Sequence, residues 1–350
     1  MLILLSAFIA STITCLCIYK LKHFHAKYSY DLDFKSPQKI HTNAVPRIGG
    51  IGVMAGLYFS SILYSQNYEQ YLAILLCLSA APVFLIGFAE DITKSISVEA
   101  RLVCMVITGL IFCYAFNIYS LKIDFIIIDY LLTYKYISIP FIVFSIVGLV
   151  NSYNIIDGFN GLSSVTALIS SLTLSAIGYL IGDNFITLAS ISLAGSLLGF
   201  VIFNYPKANL FLGDCGAYLL GFYIAALSIL LVSRNELVSP WSVLLINAYP
   251  IYETLFSMYR RSIHMGKSAS QPDRLHLHTL IYRRIIKSPK LYASHQLELR
   301  NSKTAPYLWA ISLTNSSIAI IFYNSTTILA VTFLIFVLIY NYIYKKIINF

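Results

Sequence analysis

Apolar residues run along this chain in long unbroken blocks, not in the alternating pattern of half-buried strands. Eleven blocks can be drawn, at residues 2–19, 48–65, 71–89, 100–118, 137–152, 161–181, 185–204, 210–232, 239–258, 306–322 and 325–343. Such blocks have the length that crosses about 30 Å of hydrocarbon as a helix. A membrane barrel would instead alternate with period two. The pattern predicts an all-α fold, a polytopic transmembrane helical bundle of about 11 spans within one domain over residues 1–350, with the block at 137–152 the shortest.

Composition agrees, with 58% of residues hydrophobic and 11% charged, where a soluble domain carries charge on roughly a quarter of its residues. The first block is not expected to be a signal peptide. It lacks a basic leader and a small-residue cleavage site, and Lys20, Lys22 and Lys27 follow the apolar run instead. Those lysines hold that end in the cytosol and leave the N-terminus outside. Threading the chain from there places 21 of the 24 Lys and Arg residues inside, and only Lys122, Lys135 and Arg234 outside. This positive-inside bias predicts a multi-pass protein of the cytoplasmic (inner) membrane with a cytosolic C-terminus.

The net charge of +9 is therefore in part a topology signal, and no nucleic-acid partner is expected, because no basic face lies on a soluble domain. Cysteines 15, 17, 77, 104, 113 and 215 fall mostly within apolar blocks and form no C-x-x-C or His/Cys cluster, so they read as small core residues and not as zinc ligands.

The chemically unusual segments, 20–47, 89–100, 151–162, 204–216 and 259–305, all fall on the predicted cytosolic side. The first ends Lys39-Ile-His41 and runs through Pro46-Arg47-Ile-Gly49-Gly50-Ile-Gly52. A cation followed by glycines at a helix start would bring N–H groups and Arg47 close to an anion, although glycines there also serve close helix packing. Next come Glu90 and Asp91 at the end of the third block, where two carboxylates oppose the helix dipole. A divalent cation or Lys94 is expected to compensate them.

In Asn151-Ser-Tyr-Asn154-Ile-Ile-Asp157-Gly158-Phe-Asn160-Gly161, the residues Asn151, Asn154 and Asp157 recur every three positions and would form a polar stripe on one helical face. Phe211-Leu-Gly213-Asp214-Cys215-Gly216 places an Asp just before an apolar helix, a position that also suits an N-cap. Finally, Arg274-Leu-His276-Leu-His278-Thr279 lacks the zinc spacing H-E-x-x-H and fits contact with phosphate or base better. Its two histidines are two apart, so a regular helix would not put both on one face.

Acids, amides, glycine turns and cations converging on one side suggest Mg²⁺ with phosphate groups, since Mg²⁺ takes one or two carboxylates and completes its shell with phosphate oxygens and water. At this point the chain resembles the polyprenyl-phosphate N-acetylhexosamine-1-phosphate transferases. Those include the enzymes that start O-antigen, enterobacterial common antigen and teichoic acid synthesis, and the peptidoglycan enzyme that makes lipid I. The resemblance covers about Lys35 to His278 and rests above all on N-x-x-N-x-x-D-G-x-N-G and F-L-G-D-x-G. The H-L-H-T stretch, with Thr279 where the peptidoglycan enzyme carries a third histidine, and V-P-R-I-G-G match the N-acetylhexosamine branch.

The resemblance implies transfer of an N-acetylamino-sugar 1-phosphate from a UDP-sugar to undecaprenyl phosphate with release of UMP, at the start of O-antigen or other surface-polysaccharide synthesis. It implies Mg²⁺ on Asp214, with Mn²⁺ as the alternative ion. Asn154 is implied as a metal or substrate ligand, with Asn151 beside it on the predicted stripe. Asp91 is implied as a base, with Glu90 and Asp157 as further catalytic acids. His276, His278, Arg274, Lys39 and Arg47 would contact the nucleotide sugar or its phosphates.

Two departures stand out. The family's paired acid is often Asp-Asp, and here its first member is Glu90. Its D-G-x-D-G turn here ends in Asn160. UDP-GlcNAc is the default donor, with UDP-GalNAc or a deoxy-N-acetylamino sugar as alternatives. Assembly is left open between monomer and homodimer. The competing reading from another class is a membrane transporter of lipid-linked or nucleotide sugars, which would place its polar groups mid-membrane on broken helices.

Overall fold

The computed structural model describes residues 1–30, 44–64, 67–264, 275–286 and 300–349. Lys39 and Arg274 lie outside these described residues. Among the described residues every regular element is helical, and the β-pairing is one isolated bridge between Tyr30 and Pro46. In chain order the helices are α1 (Leu2–Lys20), α2 (Lys22–Ser29), α3 (Gly50–Ser61), α4 (Asn67–Ser79), α5 (Ala81–Thr93), α6 (Val98–Ala115), α7 (Ile126–Leu132) and α8 (Lys135–Ile155). There follow α9 (Leu162–Ile181), α10 (Asn184–Asn204), α11 (Gly213–Arg234), α12 (Pro240–Ile246), α13 (Ala248–Tyr259), α14 (Leu277–Leu280), α15 (Ala305–Ile321) and α16 (Thr326–Ile348).

Each of the eleven apolar blocks lies on one of these helices or on a pair of them, and among the described residues eight spans are long and apolar enough to cross a membrane. The α4–α5 pair counts as a single span of 27 residues. Three blocks fall short of that length. Helix α3 has 12 residues, α15 has 17, and the block at 239–258 is broken into α12 and α13. The break has a local cause. The Asn247 side chain donates to the Val243 carbonyl at 3.0 Å and accepts from the Tyr153 hydroxyl at 3.1 Å, which fixes a polar residue between the two short helices.

Helix α11 lies at the centre, with its most apolar window wholly enclosed by protein. A helix apolar on every side is the kind that a bundle interior accommodates. Its neighbours approach through glycines. A side chain at Gly87 on α5 would meet the backbone of Cys215 at 2.6 Å, one at Gly50 on α3 would meet Gly216 at 2.4 Å, and one at Gly221 would meet Val150 on α8 at 2.5 Å. Small residues at such crossings let van der Waals packing join helices that lipid itself would not drive together.

Polar side chains gather at the two ends of the bundle. At one end Asp183 accepts from Arg234 Nε at 2.9 Å and from Asn235 at 3.0 Å. There too, Asp124 accepts from Ser239 at 3.1 Å and from Thr326, tying the 119–136 loop to the starts of α12 and α16. Within that loop, α7 exposes Ile126 and Ile127. The other end holds Asp91 and Asp214 with Arg47 and Arg101.

Two left-handed glycines offer a test of how tightly that second end is built. Gly213 (φ 77°) and Gly182 (φ 78°) share a conformation, but a Cβ at Gly213 would lie 1.8 Å from the Arg47 carbonyl oxygen, whereas one at Gly182 has open space. Gly182→Ala should cost about 1 kcal/mol, the left-handed penalty alone. Gly213→Ala should cost on the order of 3 kcal/mol or more, because backbone must move. Thermal unfolding of both variants in detergent would check this, and equal losses would contradict it.

Candidate active site

The start of α11 is held by a residue from another helix. Asp91, on the last turn of α5, is fully buried and accepts the Asp214 N–H through Oδ1 at 2.8 Å and the Cys215 N–H through Oδ2 at 3.0 Å. These are among the N–H groups that a helix leaves without internal partners, at its positive pole. The expected N-cap at this helix is thus supplied in trans, and Asp214 sits inside the first turn of α11. The compensation expected for the Glu90–Asp91 pair also differs from the sequence reading. Lys94 turns away, in a left-handed conformation, and its Nζ donates to the Tyr30 carbonyl at 2.7 Å. Glu90 accepts the Ile96 N–H at 2.8 Å and so closes the turn after α5.

The segment Pro46–Gly50 pairs with Phe211–Leu212 backbone to backbone. Phe211 N–H donates to the Pro46 carbonyl at 2.8 Å, while Gly49 and Gly50 N–H donate to the carbonyls of Phe211 and Leu212, each at 2.9 Å. The two glycine N–H groups expected to face an anion are therefore consumed by this pairing. What the pairing delivers is the Arg47 side chain, whose Nε lies 3.7 Å from Asp91 Oδ1 and whose Nη2 lies 3.5 Å from Asp214 Oδ1. Arg101, in the first turn of α6, approaches Asp214 Oδ2 from the other side at 3.5 Å and donates to the Tyr218 hydroxyl at 3.3 Å. Arg101 entered the sequence reading only as a topology charge; its signal was a guanidinium in the first turn of an apolar helix.

Helix α8 ends at Ile155, which splits the expected stripe. Asn154 reaches Asp214 Oδ1 at 3.0 Å. Asn151, one turn earlier, directs its amide to the Val147 carbonyl at 2.8 Å and to Met105 Sδ at 3.4 Å, so it serves the packing of α8 on α6. Asp157 lies just past the helix, half-buried. Burial raises its carboxyl well above the usual carboxylate range; Arg47 lowers it and the charges of Asp214 and Asp91 raise it further. The turn then closes on Asn160, whose backbone N–H donates to Asn301 Oδ1 and whose side-chain amide donates to the Pro206 carbonyl, both at 3.0 Å. An ionised Asp has no hydrogen to offer Pro206, which gives the departure at this position a structural reason.

The H-L-H-T stretch docks against the same turn. His276 is extended (φ −62°, ψ 148°) and precedes the short helix α14, so the two histidines do share a face, with rings stacked 5.0 Å apart at 8°. The expectation drawn from a regular helix fails because the first histidine is not in one. His278 packs edge-on against Phe159 at 5.3 Å, and its Nε2 lies 3.9 Å from where a Gly158 side chain would begin. His276 Nδ1 bonds Glu253 Oε1 at 2.9 Å. Glu253 is buried within the apolar block at 239–258 and was passed over in the sequence; a lone carboxylate inside a span is itself the signal.

The donors fit a hard, oxygen-seeking cation. Asp214, Asp157 and Asn154 present oxygens, the last after a half-turn of its amide, whose orientation is an assignment. Among the described residues no three His, Cys, Asp or Glu side chains stand at metal-ligating spacing. An ion that draws most of its shell from phosphate and water needs no more than one or two carboxylates. Both guanidinium contacts to Asp214, at 3.5 Å, exceed the roughly 2.7–2.9 Å of a tight charge-assisted bond.

Residues 49–232 match the model of glycosyl transferase family 4. The chain is 29% identical over 278 residues to the probable undecaprenyl-phosphate N-acetylglucosaminyl 1-phosphate transferase of Bacillus subtilis, covering 78% of this chain and 75% of that one. It is 29% identical over 262 residues to the undecaprenyl-phosphate alpha-N-acetylglucosaminyl 1-phosphate transferase of Thermotoga maritima, covering 75% and 76%. It is also 29% identical over 281 residues to a phospho-N-acetylmuramoyl-pentapeptide-transferase of Streptococcus agalactiae, covering 74% and 81%. The matched stretch contains Asp91, Asn154, Asp157 and Asp214, the acids and amide that the fold brings together, and the chain belongs to glycosyl transferase family 4.

Proposed function

We propose that the protein transfers an N-acetylamino-sugar 1-phosphate from a UDP-sugar, UDP-GlcNAc by default, to undecaprenyl phosphate. The reaction releases UMP and opens the synthesis of O-antigen or another surface polysaccharide. The observation that carries this reading is the convergence of Arg47, Arg101, Asn154 and Asp214 at the N-terminus of α11, together with the names of the relatives. The site would face the cytosol, where nucleotide sugars are made, in keeping with the positive-inside bias.

In the reaction a phosphate oxygen of the lipid bonds to the sugar-bearing phosphorus, the bond from that phosphorus to the bridging oxygen breaks, and the bridging oxygen leaves with UMP. The lipid phosphate has a second pKa near 6 and is mostly dianionic at pH 7, so positioning matters more than deprotonation. Two unit charges 4 Å apart repel by on the order of 4 kcal/mol at an effective dielectric of 20. Arg47 and Arg101 are placed to offset that repulsion. Mg²⁺ held by Asp214, with Asn154 and Asp157, would supply further charge neutralisation at the diphosphate. Asp91 has both oxygens on backbone N–H groups, so its part in this reading is to orient Asp214 and not to accept a proton. His276 and His278 would receive the nucleotide-sugar phosphates on the far side of the Gly158 turn.

Three outcomes test the reading. Purified protein given undecaprenyl phosphate and a panel of UDP-sugars should release UMP only with Mg²⁺ or Mn²⁺, and Asp214→Asn should lose on the order of 10²–10³ in kcat. UMP release that persists in EDTA would refute the metal. Asp91→Asn should lose activity equally at pH 5.5 and pH 8, with lowered thermal stability, because its amide would point N–H at N–H; activity retained at pH 8 alone would restore the base. Asp157→Asn should stabilise the metal-free protein at pH 8 by roughly 2–4 °C while reducing turnover. A raised carboxyl favours the fold fully below its unfolded pKa and loses that advantage as pH rises through the folded value. The gap between the two melting curves should therefore close as pH falls.

A further inference from the structure

At the end of the bundle away from Asp214, a cavity of about 530 Å³ opens between α6, α8 and the loop that joins them. Its walls are Tyr114, Tyr119, Lys135, Tyr136, Ile139 and Pro140, which supply one cation, three phenols, two apolar side chains and no acid. Helix α8 begins at Lys135, beside the cavity, and near its other end carries Asn154, whose amide meets Asp214. At helical rise those two residues stand roughly 28 Å apart along the axis, close to the hydrocarbon thickness. We propose that this cavity binds the phosphate headgroup of an anionic phospholipid, in the leaflet opposite the active site.

One cation at this end has no acid to meet. Lys122 Nζ lies 3.0 Å from Asp124 Oδ1, and Arg234 Nε lies 2.9 Å from Asp183 Oδ2. Lys135 has no carboxylate within ion-pair distance among the described residues, and its Nζ stands 5.2 Å from the centre of the Tyr136 ring. Asp129, the nearest acid in the joining loop, accepts the Ile123 and Phe125 N–H groups at 2.7 and 3.1 Å and so holds the loop itself. A cation in the first turn of α8 also opposes the helix dipole, and that turn contains no acid. An anion is therefore the partner that this charge lacks.

The surroundings select a lipid phosphate. The Tyr119 hydroxyl donates to Asn117 Oδ1 at 3.2 Å, whereas those of Tyr114 and Tyr136 make no hydrogen bond among the described residues and can donate to phosphate oxygens. Phenols gather at headgroup depth in membrane proteins. The neighbouring α7 exposes Ile126 and Ile127, apolar side chains that an interfacial position would cover. Deeper along the same two walls, Ile111 on α6 and Phe144 on α8 are exposed, as an acyl chain beneath the headgroup requires. A free anion would gain nothing from these apolar neighbours. A zwitterionic headgroup would bring an ammonium with no carboxylate in the cavity to pair with it. An anionic phospholipid satisfies the lysine, the phenols and the apolar side chains together.

The experiment uses the full-length protein in phosphatidylcholine nanodiscs containing a trace of phosphatidylglycerol with a photoactivatable diazirine on its headgroup. After irradiation, mass spectrometry of the digested protein should find the label on the segment carrying Tyr136 and Ile139. Lys135→Gln should lower labelling of that segment roughly fivefold, the effect of one lysine at an anionic surface. Lys122→Gln removes the same charge from the same end, but from a paired lysine, and should leave the labelling within about twofold. Lys135→Arg, which keeps the charge, should retain it. Unlabelled phosphatidylglycerol added to the discs should displace the probe.

Equal labelling of the segment by a phosphatidylcholine probe of the same design would overturn the proposal. So would an equal loss in Lys135→Gln and Lys122→Gln, which marks bulk charge and not a specific site. Displacement of the probe from the wild type by millimolar inorganic phosphate would assign the cavity to a free anion and overturn the lipid. The two wild-type comparisons decide even if a variant fails to fold. None of these outcomes depends on the transfer reaction, because Lys135 stands at the opposite end of α8 from Asn154.

Discussion

The contact on which this site depends is a buried carboxylate at the foot of a buried helix. Asp91 receives two N–H groups from the first turn of α11, and neither those groups nor the carboxylate has water to fall back on. Removing either partner would strand buried polar atoms, at a cost of about 1–3 kcal/mol for each unsatisfied group. The rest of the geometry is forced around that contact. Gly213 must be glycine because the Arg47 carbonyl and an Asp91 oxygen occupy the space where a side chain would start. The α11 terminus is then fixed closely enough for Asp214 to stand between two guanidiniums and an amide.

From this arrangement comes a site that is neither uniformly acidic nor uniformly basic. Asp91, Asp157 and Asp214 are gathered near Arg47 and Arg101, next to the positive pole of α11, so anionic groups and a cation can both be accommodated with little net charge to bury. The elements that contribute arise far apart in the chain, from the loop before α3 to the helix α16 that closes it. Broken or short helices recur among them. Where α12 gives way to α13 at Asn247, the chain gains a second short helix whose inner face carries Tyr249 and Glu253, and these two residues meet both histidines. Backbone irregularity at membrane depth is tolerated only where protein satisfies it, and here the Asn247 side chain, itself held by the Tyr153 hydroxyl, donates to the Val243 carbonyl.

What the chain reveals on its own is considerable where local physics decides. Uninterrupted apolar blocks have one economical use, so helices and their approximate limits were legible. The motif residues Asp91, Asn154, Asp157 and Asp214 stood out as acids and amides at the edges of apolar spans, where polarity is costly, and the fold brings them to one end of α11. Locally ambiguous residues were another matter. Asn151 and Asn154 have the same side chain three positions apart, and only the end of α8 and the approach of α6 separate a packing amide from a site amide. Glycines 49 and 50 could as well have offered their N–H groups to an anion as to a neighbouring strand of backbone.

The sequence by itself thus determined the helical membrane architecture and the identity of the polar groups, since periodicity and desolvation act over a few residues. Tertiary structure alone decided which partners those groups meet. A carboxylate is a base, a metal ligand or a helix cap according to which donors surround it, and for Asp91 those donors lie more than a hundred residues away on α11. The same holds for Glu253. Nothing near it in the chain discloses that His276 and Tyr340 will converge on it. Hydrogen bonds are short-ranged, so the meaning of each polar residue waits on the packing that brings its partner within 3 Å.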